Sequence, residues 1–473
     1  MSLKNISFSH FRAWATIFFY TGIYVYFLLY LATFSFSYYL RDYFNGALMV
    51  SIIPFYLLAY RHSALYVFDA KKYFISFYIF LVLGIIFSQN IEDSFIKVSV
   101  KVGISLIVPF AAMEAVRSVR YLYYVIWILI AVLIVQGLDG IYQYFNGFDL
   151  IHNTPIISGR LTGAFRGYNV GNFVALTIIP AISILFILRT KCQNFSFILT
   201  GCLLFPALFL MFFSYTRNAY ITLFFALFLW CLVVHRFPWK LCLVLGGSFG
   251  LLTQIPALRL NWERISADGR WDLWGLAVEV FQEFPFLGAG IGQYNSAFRS
   301  LGLEPIKDII TISHPHNIYL QFLCENGIIG AFFALLFLFG MFWWAYKKLH
   351  TISKRDKILL CTADDSIEKV AQKTAWYIAT LFWCGWGAFL ASGIVGHNFF
   401  QRWWHTLVLT YLGIMIAIII NILSDKKEHV NLLDNVIKEQ GLSTKEVKIV
   451  QFCAICFILF AFILLSFLYH HYL

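Results

Sequence analysis

The chain contains three basic residues whose types suit proton transfer and anion binding: His316, Arg217 and Arg270. His316 lies between Pro315 and Asn317, at the start of a long apolar segment. An imidazole titrates at about pH 6.5, so it can accept a proton from a hydroxyl group near neutral pH. A guanidinium can bind a phosphate through two parallel hydrogen bonds. These residue types indicate a site that binds an anion, such as a diphosphate, and activates a nucleophile.

Two of these positions also have a purely structural interpretation. His316 and His314 could cap or pack a loop, with Asn317 as the N-cap of the following helix. Arg217 begins an apolar segment and could extend to the membrane surface. A charge at that depth is costly unless it faces a polar cavity. The residues alone leave the structural and the functional interpretation open.

Arg270 opens the sequence Gly-Arg-Trp-Asp-Leu-Trp. A helix that begins here places Trp271 and Trp274 on one face, at the bilayer interface, and turns Arg270 toward a cavity. The alternative is an interfacial Trp–Arg anchor without a ligand. Arg160 and Arg166 lie in a loop rich in Gly and Asn, where they are either ordinary loop residues or further contacts to the anion.

The composition requires a membrane around this site. Of 473 residues, 60% are hydrophobic and only 12% are charged, and the mean hydropathy is +0.75. Soluble domains carry about 25% charged residues. We therefore expect an all-α polytopic membrane protein.

Apolar runs long enough to cross a bilayer recur along the chain. They lie at 14–38, 44–60, 73–88, 95–112, 121–145, 172–188, 195–213, 218–235, 239–256, 318–346, 375–396, 403–423 and 449–469. Twelve spans are self-consistent, and the last run is either a thirteenth span or an interfacial segment. The predicted divisions are 1–256 (spans one to nine, with a loop at 146–171), 257–317 (a large loop), 318–423 (spans ten to twelve) and 424–473 (an inner segment and the extra run).

The positions of the 35 Lys and Arg residues orient these spans. With the N-terminus in the cytoplasm, most of them fall in inner loops. This bias explains most of the net charge of +11, so it indicates topology and not a nucleic-acid partner. The basic residues of the outer loops are mostly arginines. Because lysine would serve topology equally well, these outer arginines indicate an anionic ligand.

Motifs of several other chemistries are missing from the outer loops, including Asp-x-Asp, HExxH, a Walker loop and Gly-x-Ser-x-Gly. Asp268 and Asp272 are four residues apart, but two carboxylates make a poor metal site. The sequence favours chemistry without a metal or a cofactor. Gly288, Gly290 and Gly292 do not follow a strand, so they predict a turn that brings the backbone close to the membrane or a ligand.

These features together resemble the bacterial O-antigen ligase and polymerase superfamily, and most of all its ligases. The sequence His316-Asn317-x9-Gly327-x2-Gly330 fits the ligase pattern His-[Asn/Ser/Gln]-x9-Gly-x2-[Gly/Thr/Tyr]. The histidine pattern is fairly specific for the superfamily but does not separate its branches. The likeness covers roughly residues 70–425.

A second ligase pattern, Arg-x3-Leu, is matched by Arg217-Asn-Ala-Tyr-Ile221, with Ile in place of Leu. Further similarity lies in Arg160-Leu-Thr-Gly-Ala-Phe and in Arg270-Trp-Asp-Leu-Trp. The extra apolar run after residue 449 departs from the usual twelve spans of the family.

The resemblance implies a GT-C-like, metal-independent, inverting glycosyltransferase in the bacterial inner membrane, with its site and large loop facing the periplasm. The donor would be a glycan on undecaprenyl diphosphate, and the acceptor a sugar hydroxyl of lipid A–core. By the resemblance, His316 acts as general base, and Arg217 and Arg270 hold the departing diphosphate. Further substrate contacts would be Arg160, Arg166, His314 and Asn317.

Three rival functions remain open at this point. A polymerase would transfer the chain to a second lipid-linked repeat, and a protein O-oligosaccharyltransferase would transfer it to a protein. A lipid-glycan transporter needs polar residues through the bilayer midplane and often has internal repeats. The predicted spans are nearly free of charge and the Arg and His residues gather on one side, which favours an enzyme.

Overall fold

The computed structural model describes residues 8–165, 167, 169–190, 194–234, 247, 269–303, 314–356, 358, 366–396, 398–424 and 442–472. In the first half the helices are α1 (Phe8–Thr33), α2 (Tyr38–Ala59), α3 (Ala64–Val67), α4 (Lys71–Ile86), α5 (Ile91–Lys97), α6 (Val108–Ala115), α7 (Val119–Asn146), α8 (Val170–Ala181), α9 (Ile184–Arg189), α10 (Ser196–Phe213) and α11 (Arg217–Val234). They continue as α12 (Arg270–Glu283), α13 (Tyr294–Ser300), α14 (Ile318–Arg355), α15 (Ile367–Ser392), α16 (Arg402–Ala417) and α17 (Thr444–Tyr472).

Eight helical segments within the described part of the chain are long and apolar enough to cross a membrane. A ninth results if the pair Ile91–Val100 and Ser105–Ala115, bent by 48°, counts as one span. The predicted all-α class is therefore confirmed for these residues, and eight of their helical segments are candidate membrane spans. The total of twelve or thirteen spans stays a prediction, because the predicted spans 73–88, 375–396 and 449–469 are not among these eight segments and nearly all of 239–256 lies outside the described residues.

Hydroxyl and amide side chains begin several helices, as expected of N-caps. The Ser118 side chain accepts the N–H of Tyr121 at the start of α7, and Asn90 accepts the N–H of Asp93 at the start of α5. At its other end, α7 stops at Gly147, which has a φ of +84°. A left-handed glycine is the usual helix terminator, since it lacks the Cβ that opposes this conformation.

One end of the helix bundle, termed the basic end, carries lysines and arginines predicted to face the cytoplasm. There the buried Arg117 pairs with the buried Glu114 and donates to the carbonyl of His62 at 3.1 Å. Lys348 pairs with Asp69 at 2.5 Å. These contacts join the turns between α2 and α4, between α6 and α7, and the far half of α14.

The opposite end, termed the site end, gathers the turns predicted to be outer loops. Arg402, at the start of α16, pairs with Asp42 of α2 at 2.5 Å. The Ile318 N–H, at the start of α14, donates to the Gly393 carbonyl at 2.9 Å. The structure thus places the N-terminus of α14 beside the end of α15, and the N-terminus of α16 beside α2.

The helices bury a continuous apolar core, and a second, smaller core lies at the site end. The second core joins α12 and α13 to the first half of α14 through Leu276, Val280, Tyr294, Phe298 and Cys324. We term residues 269–303 the outer module. Its packing fixes α12 and α13 against α14.

Candidate functional site

His316 occupies the turn immediately before α14. Its φ is +55°, in the left-handed region that non-glycine residues seldom adopt. The ring centroid of His316 lies 4.2 Å from that of His314, with 54° between the rings. Strained backbone of this kind persists where the surroundings hold it, and it clusters at functional sites. The structure therefore brings the two predicted histidines together on a constrained turn.

Asn317 is the N-cap of α14, as predicted. Its Oδ1 accepts the N–H groups of Tyr319 at 3.0 Å and Leu320 at 3.1 Å. The cap leaves the positive end of a long helix beside His316, where an anion is favoured. The predicted contact of Asn317 with substrate stays a prediction.

The first turn of α14 is docked on the end of α15. Besides the bond from Ile318 to Gly393, the Tyr319 hydroxyl donates to the Leu390 carbonyl at 2.6 Å. The position of His316 is thus fixed relative to the turn between α15 and α16.

The helix α14 is broken at Gly327, which has φ +61° and ψ −174°. The loop after α12 inserts its backbone into this break. The N–H groups of Ala289 and Gly290 donate to the carbonyls of Cys324 (3.0 Å) and Glu325 (2.7 Å). In return, the N–H groups of Ile328 and Ile329 donate to the carbonyls of Pro285 (2.8 Å) and Phe286 (3.1 Å), so the broken turn keeps its backbone hydrogen bonds.

The glycines around this break are needed for close approach. A Cβ on Gly327 would lie 2.2 Å from the Phe286 backbone, and one on Gly288 would lie 2.3 Å from the backbone of Asn326. A Cβ on Gly290 would lie 2.1 Å from Ser88 Oγ. The predicted close backbone approach is confirmed. Its partners are α14 and the turn between α4 and α5, where the sequence had suggested the membrane or a ligand.

Arg270 is the first residue of α12 and is half-buried. The predicted helix start and the shared face of the tryptophans are confirmed, because the rings of Trp271 and Trp274 lie 4.8 Å apart. The Tyr294 hydroxyl donates to the Leu273 carbonyl at 2.8 Å. Burial raises the pKa of Tyr294, so its hydroxyl stays protonated and anchors the first turn of α12 to α13.

Arg217 is the first residue of α11, as predicted, and is half-buried. The turn before it contains Tyr215 with φ +48°. Ser214 donates to the Thr216 hydroxyl at 3.1 Å, and the Tyr220 hydroxyl reaches back to the Phe212 carbonyl at 2.8 Å. A tight, internally bonded turn therefore positions Arg217 at the site end.

Arg160 follows a two-residue turn in the predicted loop 146–171. Ser158 and Gly159 both have positive φ, at +51° and +71°, and Arg160 pairs with Ile157 through their backbones. Leu161 then donates to the Phe213 carbonyl at 3.2 Å, at the end of α10. This bond brings the Arg160 loop to the turn that carries Arg217. Arg166 lies outside the described residues.

The structure also contains a buried polar residue that the sequence reasoning missed. Glu325 is fully buried in α14, although the spans were predicted to be nearly free of charge. An acidic residue within a spanning segment is itself a sign of function, and that signal could have found it. In the part of the chain that the structure describes, no group of three or more His, Cys, Asp or Glu residues is arranged to hold a metal ion.

Comparison with known protein families identifies one region of the chain. Residues 202–335 match a family model described as O-antigen ligase. The resemblance to the O-antigen ligase and polymerase superfamily is confirmed. The matched segment, residues 202–335, contains Arg217, Arg270 and His316, whereas Arg160 and Arg166 precede it. No curated protein matches the chain.

Proposed function

We propose that the protein is an O-antigen ligase. It transfers a glycan from undecaprenyl diphosphate to a sugar hydroxyl of lipid A–core, at the periplasmic face of the bacterial inner membrane, without a metal. The observation that carries this proposal is His316, held at positive φ immediately before α14 and inside the segment 202–335 that matches the O-antigen ligase family model. Arg217 and Arg270 begin helices of that same segment.

The proposed reaction is a single displacement at the anomeric carbon of the donor. His316 takes the proton of the acceptor hydroxyl as its oxygen bonds to that carbon. The glycosidic C–O bond breaks on the opposite side, and its electron pair leaves with undecaprenyl diphosphate, so the configuration inverts. Arg217 and Arg270 offset the charge that develops on the diphosphate. Arg160 and Arg166 contribute further contacts to the diphosphate or its first sugar, and His314 and Asn317 to the substrate beside His316.

The topology supports a periplasmic site. Lysines and arginines of short loops favour the cytoplasmic side, and the basic end of the bundle carries such residues. The site end therefore faces the periplasm, where it meets a donor in the outer leaflet. The GT-C-like architecture belongs to the same proposal.

Transfer by the purified protein in lipid nanodiscs tests the function. The lipid-linked glycan is offered with lipid A–core, with a second lipid-linked repeat, or with an acceptor protein. We expect glycosylated lipid A–core, at a rate that EDTA leaves unchanged. Product only from the second repeat would establish a polymerase, and product only on the protein an oligosaccharyltransferase. Movement of the donor across the bilayer without any product would establish a transporter.

The role of His316 is tested in the same assay. His316→Ala should keep the fold and the binding of the donor but lose transfer. His350→Ala, on the part of α14 near the basic end, serves as the matched control and should transfer at the wild-type rate. Wild-type transfer by His316→Ala would refute the general-base role.

A further inference from the structure

Glu325 is an acidic residue at the site end with no exposed surface. Its Oε2 accepts the Gly292 N–H at 2.9 Å. The Gln321 side-chain amide donates to its two carboxylate oxygens at 3.3 and 3.4 Å. Burying a carboxylate costs free energy unless hydrogen-bond donors or opposite charges compensate it. The N–H donors of Gly292 and Gln321 therefore stabilise the buried Glu325 carboxylate.

The first partner of Glu325 belongs to the outer module. The Gly292 carbonyl accepts a hydrogen bond from Lys97 Nζ at 2.9 Å, while its N–H is taken by Glu325. Lys97 also pairs with Asp93 at 2.5 Å, and Gln293 donates to the same Asp93 carboxylate at 2.6 Å. Both backbone polar groups of Gly292 are therefore hydrogen-bonded, the N–H to Glu325 of α14 and the carbonyl to Lys97 of α5.

The second partner of Glu325 is Gln321, which connects α14 to the turn between α15 and α16. The Gln321 amide nitrogen donates to Asn398 Oδ1 at 2.8 Å, and its oxygen accepts the Phe399 N–H at 2.9 Å. Asn398 Oδ1 also accepts the Phe400 N–H at 2.8 Å. Through Gln321, the carboxylate of Glu325 is linked to the turn between α15 and α16.

We propose that Glu325 is a positioning residue for glycosyl transfer, acting through Gly292 and Gln321. It ties three segments into one unit: the outer module, which carries Arg270; the first half of α14, which follows His316; and the turn between α15 and α16. This inference rests on the proposed function, because it assigns Glu325 the task of keeping the diphosphate-binding arginine aligned with the base.

The carboxylate chemistry of Glu325 is suited to this task. The groups of Gly292 and Gln321 that face it are N–H donors, and a carboxylate is an acceptor at both oxygens. Glutamine at this position would keep the volume and one acceptor but would turn an NH2 group toward a donor. Gln321 cannot reverse its amide without giving up the Phe399 and Asn398 bonds. Glutamine has the same size as Glu325 but therefore cannot reproduce its hydrogen bonds.

The kinetic test compares Glu325→Ala and Glu325→Gln with Glu283→Gln, a control at an exposed position of α12. Misplacing reacting groups by about 1 Å can cost about 100-fold in rate. We expect the kcat per folded molecule to fall about 100-fold in Glu325→Ala and less in Glu325→Gln. The KM for the donor should stay within about twofold, since misalignment acts on the chemical step more than on binding. Glu283→Gln should match the wild type.

Hydrogen exchange supplies a readout that needs no substrate. Amides of residues 284–293 and 318–324 should exchange faster in both Glu325 variants than in the wild type or Glu283→Gln. If Glu325→Ala does not fold, Gln321→Met interrupts the same network and should give the same loss of kcat and the same faster exchange.

Unchanged exchange in these segments would overturn the linkage. A lower melting temperature with wild-type kcat per folded molecule would reduce Glu325 to a structural role and overturn the positioning. If the wild-type protein transfers no glycan while exchange still rises in the variants, the proposed function fails and the linkage stands.

Discussion

Gly327 lies directly against the backbone of Phe286, so close that a Cβ on Gly327 would come within 2.2 Å of the Phe286 carbonyl carbon. This contact is the point where the outer module enters α14. The conformation of Gly327, with φ +61° and ψ −174°, is one that essentially only glycine adopts. A single glycine thus allows two chain segments, those of Phe286 and Gly327 and 41 residues apart in sequence, to share a single helical turn.

Substituting Gly327 by alanine should therefore displace the loop 285–290. We expect a destabilisation of about 1–3 kcal/mol from the backbone conformation alone, with the clash added to it. The rate of transfer should fall by about 100-fold or more, because Arg270 on α12 and His316 before α14 would no longer be aligned. Thermal unfolding and transfer assays measure the two effects.

The matched control is Gly275→Ala in α12, where a Cβ meets nothing within 4 Å. Alanine in that helix should be neutral or stabilising by up to about 1 kcal/mol. Equal behaviour of the two variants would contradict the importance of the Gly327 contact.

Removing the N-cap at Asn317 tests whether this cap holds His316 in position for transfer. Asn317→Ala removes the acceptor of the Tyr319 and Leu320 N–H groups and should cost about 1 kcal/mol. The turn before α14 then loosens, and we expect kcat to fall by about tenfold or more. Asn317→Asp keeps the acceptor and should recover most of the stability.

Ser366→Ala is the control for this loss of a cap, since Ser366 accepts the Lys369 N–H at the start of α15. It should lower the melting temperature by a comparable or smaller amount without changing kcat per folded molecule. A loss of activity in Ser366→Ala equal to that in Asn317→Ala would show that the effect is one of general stability.

Replacing either Arg217 or Arg270 with lysine keeps the charge and removes the planar pair of donors. If these residues grip a diphosphate, each variant loses about one charged hydrogen bond, worth about 1.5–3 kcal/mol. The kcat/KM for the lipid-linked donor should fall by about 10- to 100-fold. Arg299→Lys, at an exposed position of α13, should have wild-type kinetics. Wild-type kcat/KM in both test variants would argue against bidentate binding of the donor.

Arg117 provides a prediction about stability at the basic end. Arg117→Met leaves Glu114 buried without its ion pair, which typically costs about 3–5 kcal/mol. Glu114 also accepts the N–H groups of Ala64 and Leu65, so the turn before α4 should loosen as well. The melting temperature should drop while kcat per folded molecule stays unchanged. Arg120→Met, which removes an exposed charge one turn away, should change the stability by less than about 0.5 kcal/mol.

Much of the helical framework was predictable from the sequence, because apolar length and capping chemistry act locally. The starts of α11 and α12 at Arg217 and Arg270 and the cap at Asn317 follow from neighbouring residues. The paired tryptophans of α12 follow from helical spacing alone. Each of these features depends on a few consecutive side chains and on the bilayer as solvent.

The joining of the outer module to α14 was not predictable in the same way. An apolar run with two glycines predicts one continuous span, and the break at Gly327 forms only because the backbone of residues 285–290 replaces the missing hydrogen bonds. The sequence indicated a close approach at Gly288 and Gly290 but not its partner. Glu325 was overlooked for a related reason: its partner Gly292 comes from the outer module, and Gln321, four residues earlier on α14, connects it to the separate turn at Phe399.

The break at Gly327 also divides α14 into a short segment beside the candidate site and a longer segment that is long enough to span the bilayer. Residues 328–355 form a rod of about 42 Å, at 1.5 Å per residue, which exceeds a hydrocarbon core of about 30 Å. Such a rod accommodates a thinner or thicker membrane by changing its tilt. The loop 285–290 is hydrogen-bonded to α14 on both sides of the break, and Ile318 is bonded to the end of α15, so we expect the turn that carries His316 to stay docked to the outer module when the tilt of the rod changes. Transfer should then vary little between nanodiscs made with shorter and longer acyl chains.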